Sequence, residues 1–213
     1  FGIMFVLILP KRWFPALMGG LAIFALVLCP FSAGYLDQSA HDRVIFWGMA
    51  NEVFKRNILF GNGFGMFWQI ASDKAAHNAF VSCYTTIGIF GYWFWFGLIA
   101  VGVIGCYRSR IKLREVRGRD AAWLRQFSGL AIAAMAGFSA SAYFLSRTFA
   151  YPLFFLYAIL GSVSVIARQY LPEDEPPILD FKRDFAGYGL LASITSVTYI
   201  YFSLVLLNKA FYG

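Results

Sequence analysis

Long apolar runs recur along the chain and are separated by shorter polar segments. Five of these runs hold no charged residue, and each has the roughly 20 residues that a helix needs to cross the hydrocarbon core of a bilayer. The pattern predicts an all-α fold, a polytopic bundle of transmembrane helices. The predicted spans cover residues 13–31, 80–107, 127–145, 149–167 and 185–207, after a partial span at 1–9.

The composition agrees with a membrane protein. Of all residues, 60% are hydrophobic and 14% are charged, whereas roughly 25% of a typical soluble domain is charged. The polar residues are too few to surround five apolar helices in water. The apolar start does not begin with Met and lacks the basic region and cleavage site of a signal peptide. We interpret residues 1–213 as a single membrane domain that is truncated at its N-terminus.

The positions of Lys and Arg predict the orientation, because short cytoplasmic loops are enriched in them. The alternation of spans puts three basic loops on one side, which we interpret as cytoplasmic. The opposite side receives the long segment 32–78 and the short turn around Arg147. The basic loops hold Lys11 and Arg12; Arg108, Arg110, Lys112, Arg114, Arg117, Arg119 and Arg125; and Arg168, Lys182 and Arg183.

The net charge of +7 does not indicate a nucleic-acid partner. The basic loop after residue 107 has few aromatic residues and adjoins a span, which suits anionic lipid headgroups better than a nucleic-acid groove. No metal site or other cofactor is expected. His41 and His77 are the only histidines, and they do not have the spacing of a zinc site.

The long segment 32–78 contains a predicted amphipathic helix. Ser39 and Asp42 have the spacing of a capping signal, and apolar residues recur at helical spacing over residues 42–56. Glu52 and Arg56 form an i,i+4 pair in the favourable order. We expect this helix to lie near the outer membrane surface, with an apolar stripe made of Phe46, Met49, Val53 and Phe54.

Arg43 and Trp47 are four residues apart on this helix and therefore share a face. A guanidinium group there is able to hold an anionic headgroup. The alternative is that Arg43 only extends toward lipid phosphates beside an interfacial tryptophan.

A glycine-rich stretch follows the helix at residues 59–65. Gly61, Gly63 and Gly65 permit tight turns and a close approach of the backbone to another group. A dinucleotide-binding loop is rejected, because no βαβ unit surrounds the stretch and the glycine spacing differs. We predict a bend that lets the chain dip into the membrane interface.

His77 and Asn78 stand directly before the longest predicted span. Asn78 is a candidate N-cap, which puts His77 at the N-terminus of a helix. The partial positive charge there favours the neutral imidazole, the form that accepts a proton. His77 is therefore a candidate general base. The alternative is an interfacial histidine that is hydrogen-bonded to the loop.

Three short motifs between residues 42 and 92 occur in a distinctive order. They are Arg43-x-x-x-Trp47, the run from Asn57 to Gly65, and His77-Asn78-Ala79-Phe80 leading to Gly88-Ile89-Phe90-Gly91. Together they resemble the O-antigen ligase and polymerase family of bacterial inner-membrane glycosyltransferases. The chain departs from the family at Asn57, because members often have a proline shortly before the glycine-rich stretch. The family's earlier spans and external arginine are not in this sequence.

The resemblance implies a C-type glycosyltransferase (GT-C-like) architecture. It also implies an enzyme that transfers or polymerises a glycan linked to undecaprenyl pyrophosphate, at the periplasmic face of the inner membrane and without a nucleotide sugar. The acceptor would be another glycan or the lipid A core of lipopolysaccharide. On this interpretation His77 accepts the acceptor's proton and Arg43 stabilises the departing pyrophosphate. The candidate substrate-binding residues are Arg43, Trp47, Gly61, Gly63, Asn78 and Arg147.

Alternatives stay open at this point. Arg147, in a short turn between two spans, either reaches the same headgroup or anchors the turn at the interface. A transporter or flippase subunit for a lipid-linked or anionic substrate would place ionisable residues or broken helices at mid-depth in the membrane. A non-catalytic scaffold would tolerate the loss of His77 and Arg43. The predicted spans hold no charge, which favours the transferase.

Overall fold

The computed structural model describes residues 38–70, 76–146 and 148–212. This part of the chain is helical and contains no strand. The predicted spans at residues 1–9 and 13–31, and the candidate residue Arg147, lie outside the described residues. The helices are α1 (Gln38–Arg56), α2 (Met66–Ile70), α3 (Ala79–Lys112), α4 (Arg119–Ala142), α5 (Tyr151–Arg168), a π-helix (Phe181–Gly189) and α6 (Leu190–Tyr212).

Three helical segments in the described residues are long and apolar enough to cross a membrane. They are Ala79–Lys112, Tyr151–Arg168 and Phe181–Lys209, and they overlap the predicted spans 80–107, 149–167 and 185–207. The chain is accordingly a helical membrane protein. The predicted span 127–145 is helical only as far as Ala142, and its helix, α4, is not among the three segments. Helix α4 begins at Arg119 and includes Asp120 and Arg125, which lower its mean hydropathy.

Helix α3 is the centre of the described structure, since α1, α2, α4, α5, α6 and the π-helix all pack against it. Its 34 residues correspond to a length of about 51 Å, well beyond a hydrocarbon core of about 30 Å. Glycines let α5 approach closely. A Cβ atom at Gly102 would lie 2.9 Å from the Leu160 side chain, and one at Gly105 would lie 2.4 Å from the Ser164 hydroxyl.

Helix α3 is interrupted at Gly88, where φ is 67° and ψ is −176°. An interruption frees backbone groups that cannot stay unpaired in an apolar environment. The glycine-rich loop, residues 57–65, supplies the partners. The Asn62 and Gly63 amides donate to the Thr85 and Thr86 carbonyls at 3.0 Å each, and the Ile89 and Phe90 amides donate to the Ile58 and Leu59 carbonyls at 2.8 and 3.1 Å.

The loop and the interruption approach so closely that a glycine is required on both sides. A Cβ atom at Gly61 would lie 2.4 Å from the Thr86 carbonyl oxygen, and one at Gly88 would lie 2.3 Å from the Leu59 carbonyl oxygen. Both glycines also have a positive φ. The two glycine-containing motifs of the sequence are therefore the two halves of one backbone contact.

Within the described residues helix α1 extends to Gln38, four residues before Asp42, where the sequence predicts its start. Ser39 therefore lies inside the helix. The buried face of α1 includes Trp47 and Val53 and packs against α3 and α6. The predicted pair of Glu52 with Arg56 is replaced by an ion pair of Glu52 with Lys55, one residue earlier.

A buried carboxylate joins α3 to the π-helix at the end of α3 that is opposite to His77. Asp184 is fully buried, and its carboxylate accepts from Arg108 at 2.7 Å and from Arg183 at 2.9 Å. Arg108 also donates to the Ile178 carbonyl at 3.1 Å. The predicted spans stop one residue short of both Arg108 and Asp184, so the sequence reading missed this contact.

Candidate functional site

His77 has a left-handed backbone conformation, with φ at 48°. It is the one non-glycine residue with a positive φ among the residues that the structure describes. Such a conformation costs on the order of 1–3 kcal/mol and persists only where neighbouring groups enforce it. The His77 side chain is exposed. The backbone contacts on either side of it must therefore hold the conformation.

Helix α1 holds the residue before His77. The indole N–H of Trp47 donates to the Ala76 carbonyl at 2.5 Å, and the Trp47 side chain is only 2% exposed. Its ring packs edge-on against the ring of Tyr143, which directly follows α4, with centroids 6.0 Å apart. Because the indole is covered and its only donor is used, Trp47 acts in this structure as a support for the His77 segment.

The turn between α4 and α5 holds His77 and the start of α3 from the other side. The His77 amide donates to the Ser146 hydroxyl oxygen at 3.0 Å. The Thr148 hydroxyl donates to the Ala79 carbonyl at 2.9 Å. Thr148 is itself held from α3, since the indole N–H of Trp95 donates to its carbonyl at 2.8 Å.

Asn78 caps α3, as the sequence predicts. Its backbone is extended, and its side-chain oxygen accepts from the Phe80 and Val81 amides at 2.9 and 3.1 Å. The Asn78 side chain is fully buried, and its amide nitrogen has no hydrogen-bond partner among the described residues. His77 directly precedes this cap and so lies at the positive end of the helix dipole.

Arg43 lies one helical turn before Trp47, about 5.4 Å farther along α1. Its side chain is partly exposed, and within the described residues it forms no ion pair. Trp47 contacts Ala76, so the turn of α1 that carries Arg43 adjoins the segment that carries His77.

The glycine-rich loop has a structural role that the sequence reading did not assign to it. The amides of Gly61 and Gly63 are engaged, by the Asn57 and Thr86 carbonyls at 2.9 and 3.0 Å. They are therefore not free to donate to a substrate in this conformation. Leu59, Phe60 and Phe64 are exposed at the tip of the loop.

An apolar cavity of about 780 Å³ opens among α3, α4 and α6. Phe80 and Tyr143 line the end near His77, and Ile104 and Tyr188 line the end toward Arg108. Phe80 and Ile104 lie on opposite sides of the interruption at Gly88, so the cavity runs along both parts of α3. The cavity is thus long and apolar, and its His77 end lies one turn of α3 from the exposed imidazole.

The sequence reading missed Ser146 and Thr148. The only signal was a pair of hydroxyl residues on either side of Arg147 in a short turn between apolar runs. Within the described residues, no group of three or more His, Cys, Asp or Glu side chains is arranged to hold a metal ion. An exposed imidazole at His77 and a partly exposed guanidinium group at Arg43 are the two candidate reactive groups in the part of the chain that the structure describes.

Comparison of the chain with protein-family models, with curated proteins and with solved structures finds no match. The function of the chain must therefore be inferred from its residues and their geometry.

Proposed function

We propose that the chain is part of a membrane glycosyltransferase that transfers or polymerises a glycan carried on undecaprenyl pyrophosphate. The observation that carries this proposal is an exposed His77, in a left-handed conformation, three residues before Phe80, which lines an apolar cavity. The cavity suits the hydrocarbon chain of a lipid-linked donor. The imidazole suits the proton of an acceptor hydroxyl.

The chemistry assigns a role to each group. The acceptor oxygen attacks the anomeric carbon while its proton passes to the His77 imidazole. The bond between that carbon and the pyrophosphate oxygen breaks, and the pyrophosphate leaves with the electron pair. Arg43 stabilises the negative charge that develops there, because a guanidinium group is always charged and offers paired donors. Arg147 is a second candidate for this role.

The proposed roles of His77 and Arg43 also imply the substrates and the location of the reaction. The donor would be a lipid-linked oligosaccharide, and the acceptor would be a glycan or a lipid A core. The reaction would take place at the periplasmic face of a bacterial inner membrane, with the basic end of α3 in the cytoplasm. The exposed basic residues Arg114, Arg117 and Arg119 after α3 support this orientation.

The deciding experiment uses the full-length protein, purified and supplied with a lipid-pyrophosphate oligosaccharide and an acceptor. We expect His77→Ala to lower the rate of transfer by roughly 10²- to 10⁴-fold, the range for the loss of a general base, and to leave donor binding intact. Arg43→Ala should weaken donor binding, while Arg114→Ala, a charge-matched control at the other end of α3, should leave it unchanged. Undiminished transfer by the His77 variant would refute the proposed mechanism.

One observation favours the alternative of a transporter or flippase subunit, namely the interruption of α3 at Gly88. Interrupted helices of transporters direct their free backbone groups at a substrate. Here four backbone groups around the interruption pair with the glycine-rich loop, so the interruption serves internal packing. Vesicles that contain the protein should therefore show no translocation of a fluorescent lipid-linked oligosaccharide.

A further inference from the structure

The turn between α4 and α5 bears on how His77 would work as a base. A left-handed histidine with an exposed side chain has no packing of its own to keep it in place. If the backbone relaxed to an ordinary conformation, the imidazole would point in a different direction. The contacts that hold the His77 backbone in this conformation therefore also set the orientation of the imidazole.

Two hydroxyl groups of this turn reach that backbone. Ser146 accepts from the amide of His77 itself, at 3.0 Å, and Thr148 donates to the carbonyl of Ala79, two residues later, at 2.9 Å. Thr148 is 5% exposed and is tied to Trp95 of α3, so its hydroxyl has a fixed position. The contacts join residues that are 69 positions apart in sequence.

We propose that Ser146 and Thr148 are positioning residues for His77 in glycan transfer. The inference rests on the proposed function, in which His77 is the base. Neither hydroxyl touches the reacting atoms. Each one holds the backbone that carries the imidazole, so its loss would reduce the fraction of bound substrate that is correctly aligned. Misplacement of a catalytic group by about 1 Å can cost as much as 100-fold in rate.

The test measures kcat and KM for transfer in the full-length protein. Ser146→Ala and Thr148→Val should each lower kcat by roughly tenfold, with KM changed by less than about twofold, because alignment changes and substrate contacts do not. Ser146→Thr and Thr148→Ser keep the hydroxyl and should restore kcat to within about threefold. Ser141→Ala, an exposed serine at the end of α4, is the matched control and should be unchanged.

A second measurement separates positioning from general loss of structure. In a His77→Ala background, adding Ser146→Ala should have no further effect on residual transfer, because residues that act as a unit are non-additive. Additive losses, or a fall in kcat that the conservative variants do not reverse, would overturn the positioning role. Transfer that is unaffected by His77→Ala alone would refute the role of His77 as the base, whereas the absence of transfer by the unaltered protein would refute the proposed function.

Discussion

At the residue scale, a single backbone angle separates His77 from every other non-glycine residue that the structure describes. The sequence identifies His77 as a candidate base because an N-cap residue follows it. The structure adds that the residue is held in a conformation with an energetic cost. Such strain is concentrated at functional sites, where the surroundings enforce it. The backbone conformation therefore supports His77 as a candidate functional residue, and this support does not depend on the family resemblance.

Gly61 provides a test of the loop contact at the same scale. Gly61 and Gly65 both have a positive φ, of 74° and 79°, but a Cβ atom would meet backbone only at Gly61 and would meet nothing within 4 Å at Gly65. A positive φ costs an alanine roughly 1–2 kcal/mol, and forced overpacking adds about 1–3 kcal/mol. Gly65→Ala should therefore lower the free energy of unfolding by about 1–2 kcal/mol, and Gly61→Ala by about 2–5 kcal/mol.

Thermal unfolding of the purified protein in detergent measures this difference. The comparison cancels the cost of the positive φ, which the two variants share. Equal stabilities of the two variants would mean that the loop does not contact the interruption of α3.

At the element scale, the described helices are joined at both ends of α3 by contacts that hydropathy does not reveal. At one end the glycine-rich loop completes the hydrogen bonding of an interrupted helix. At the other end a π-helix brings the buried Asp184 to Arg108. Short π-helical segments often occur at functional sites, but here every contact of the carboxylate is internal.

Arg108 tests the second of these contacts. Arg108 is 26% exposed and Asp184 is 0% exposed. Removing the arginine therefore leaves a buried negative charge with one fewer positively charged partner. Loss of one partner of a fully buried pair costs roughly 3–5 kcal/mol. We expect about 2–3 kcal/mol for Arg108→Met, because Arg183 still contacts the carboxylate.

The measurement is again thermal unfolding in detergent. Arg114→Met, at an exposed position that has no ion pair among the described residues, should stay within about 0.5 kcal/mol of the parent. A similar effect of the two substitutions would show that the Arg108 contact adds nothing beyond a surface charge.

At the scale of the whole molecule, the length of α3 relates the site to the bilayer. Arg108 and Gly88 are 20 positions apart, which corresponds to about 30 Å of helix and matches the thickness of the hydrocarbon core. With Arg108 at the cytoplasmic boundary, the interruption at Gly88 would lie at the opposite boundary. The segment of α3 before Gly88, together with α1 and His77, would then stand outside the hydrocarbon.

Cysteine labelling in spheroplasts tests this placement. Gly65→Cys and Arg117→Cys put a thiol at exposed positions near opposite ends of α3, whereas the native Cys83 and Cys106 are buried. In a Cys29→Ser background, a membrane-impermeant maleimide should label Gly65→Cys in intact spheroplasts and Arg117→Cys only after permeabilisation. The reverse pattern would invert the proposed topology.

Several features of this protein follow from local sequence alone. The helical membrane class follows from long uncharged runs, because the cost of burying charge in lipid leaves few alternatives. The cap at Asn78 follows as well, since its partners, the Phe80 and Val81 amides, are only two and three residues away.

The rest depends on contacts between distant parts of the chain. Gly61 meets Gly88, Ser146 holds His77, and Arg108 reaches Asp184. A hydropathy pattern indicates which face of a helix is covered, but it does not say which distant backbone group or carboxylate covers it. Those partners are chosen by the packing of whole helices. For that reason the sequence can identify His77 as a candidate base, while only the folded chain reveals the contacts that orient it.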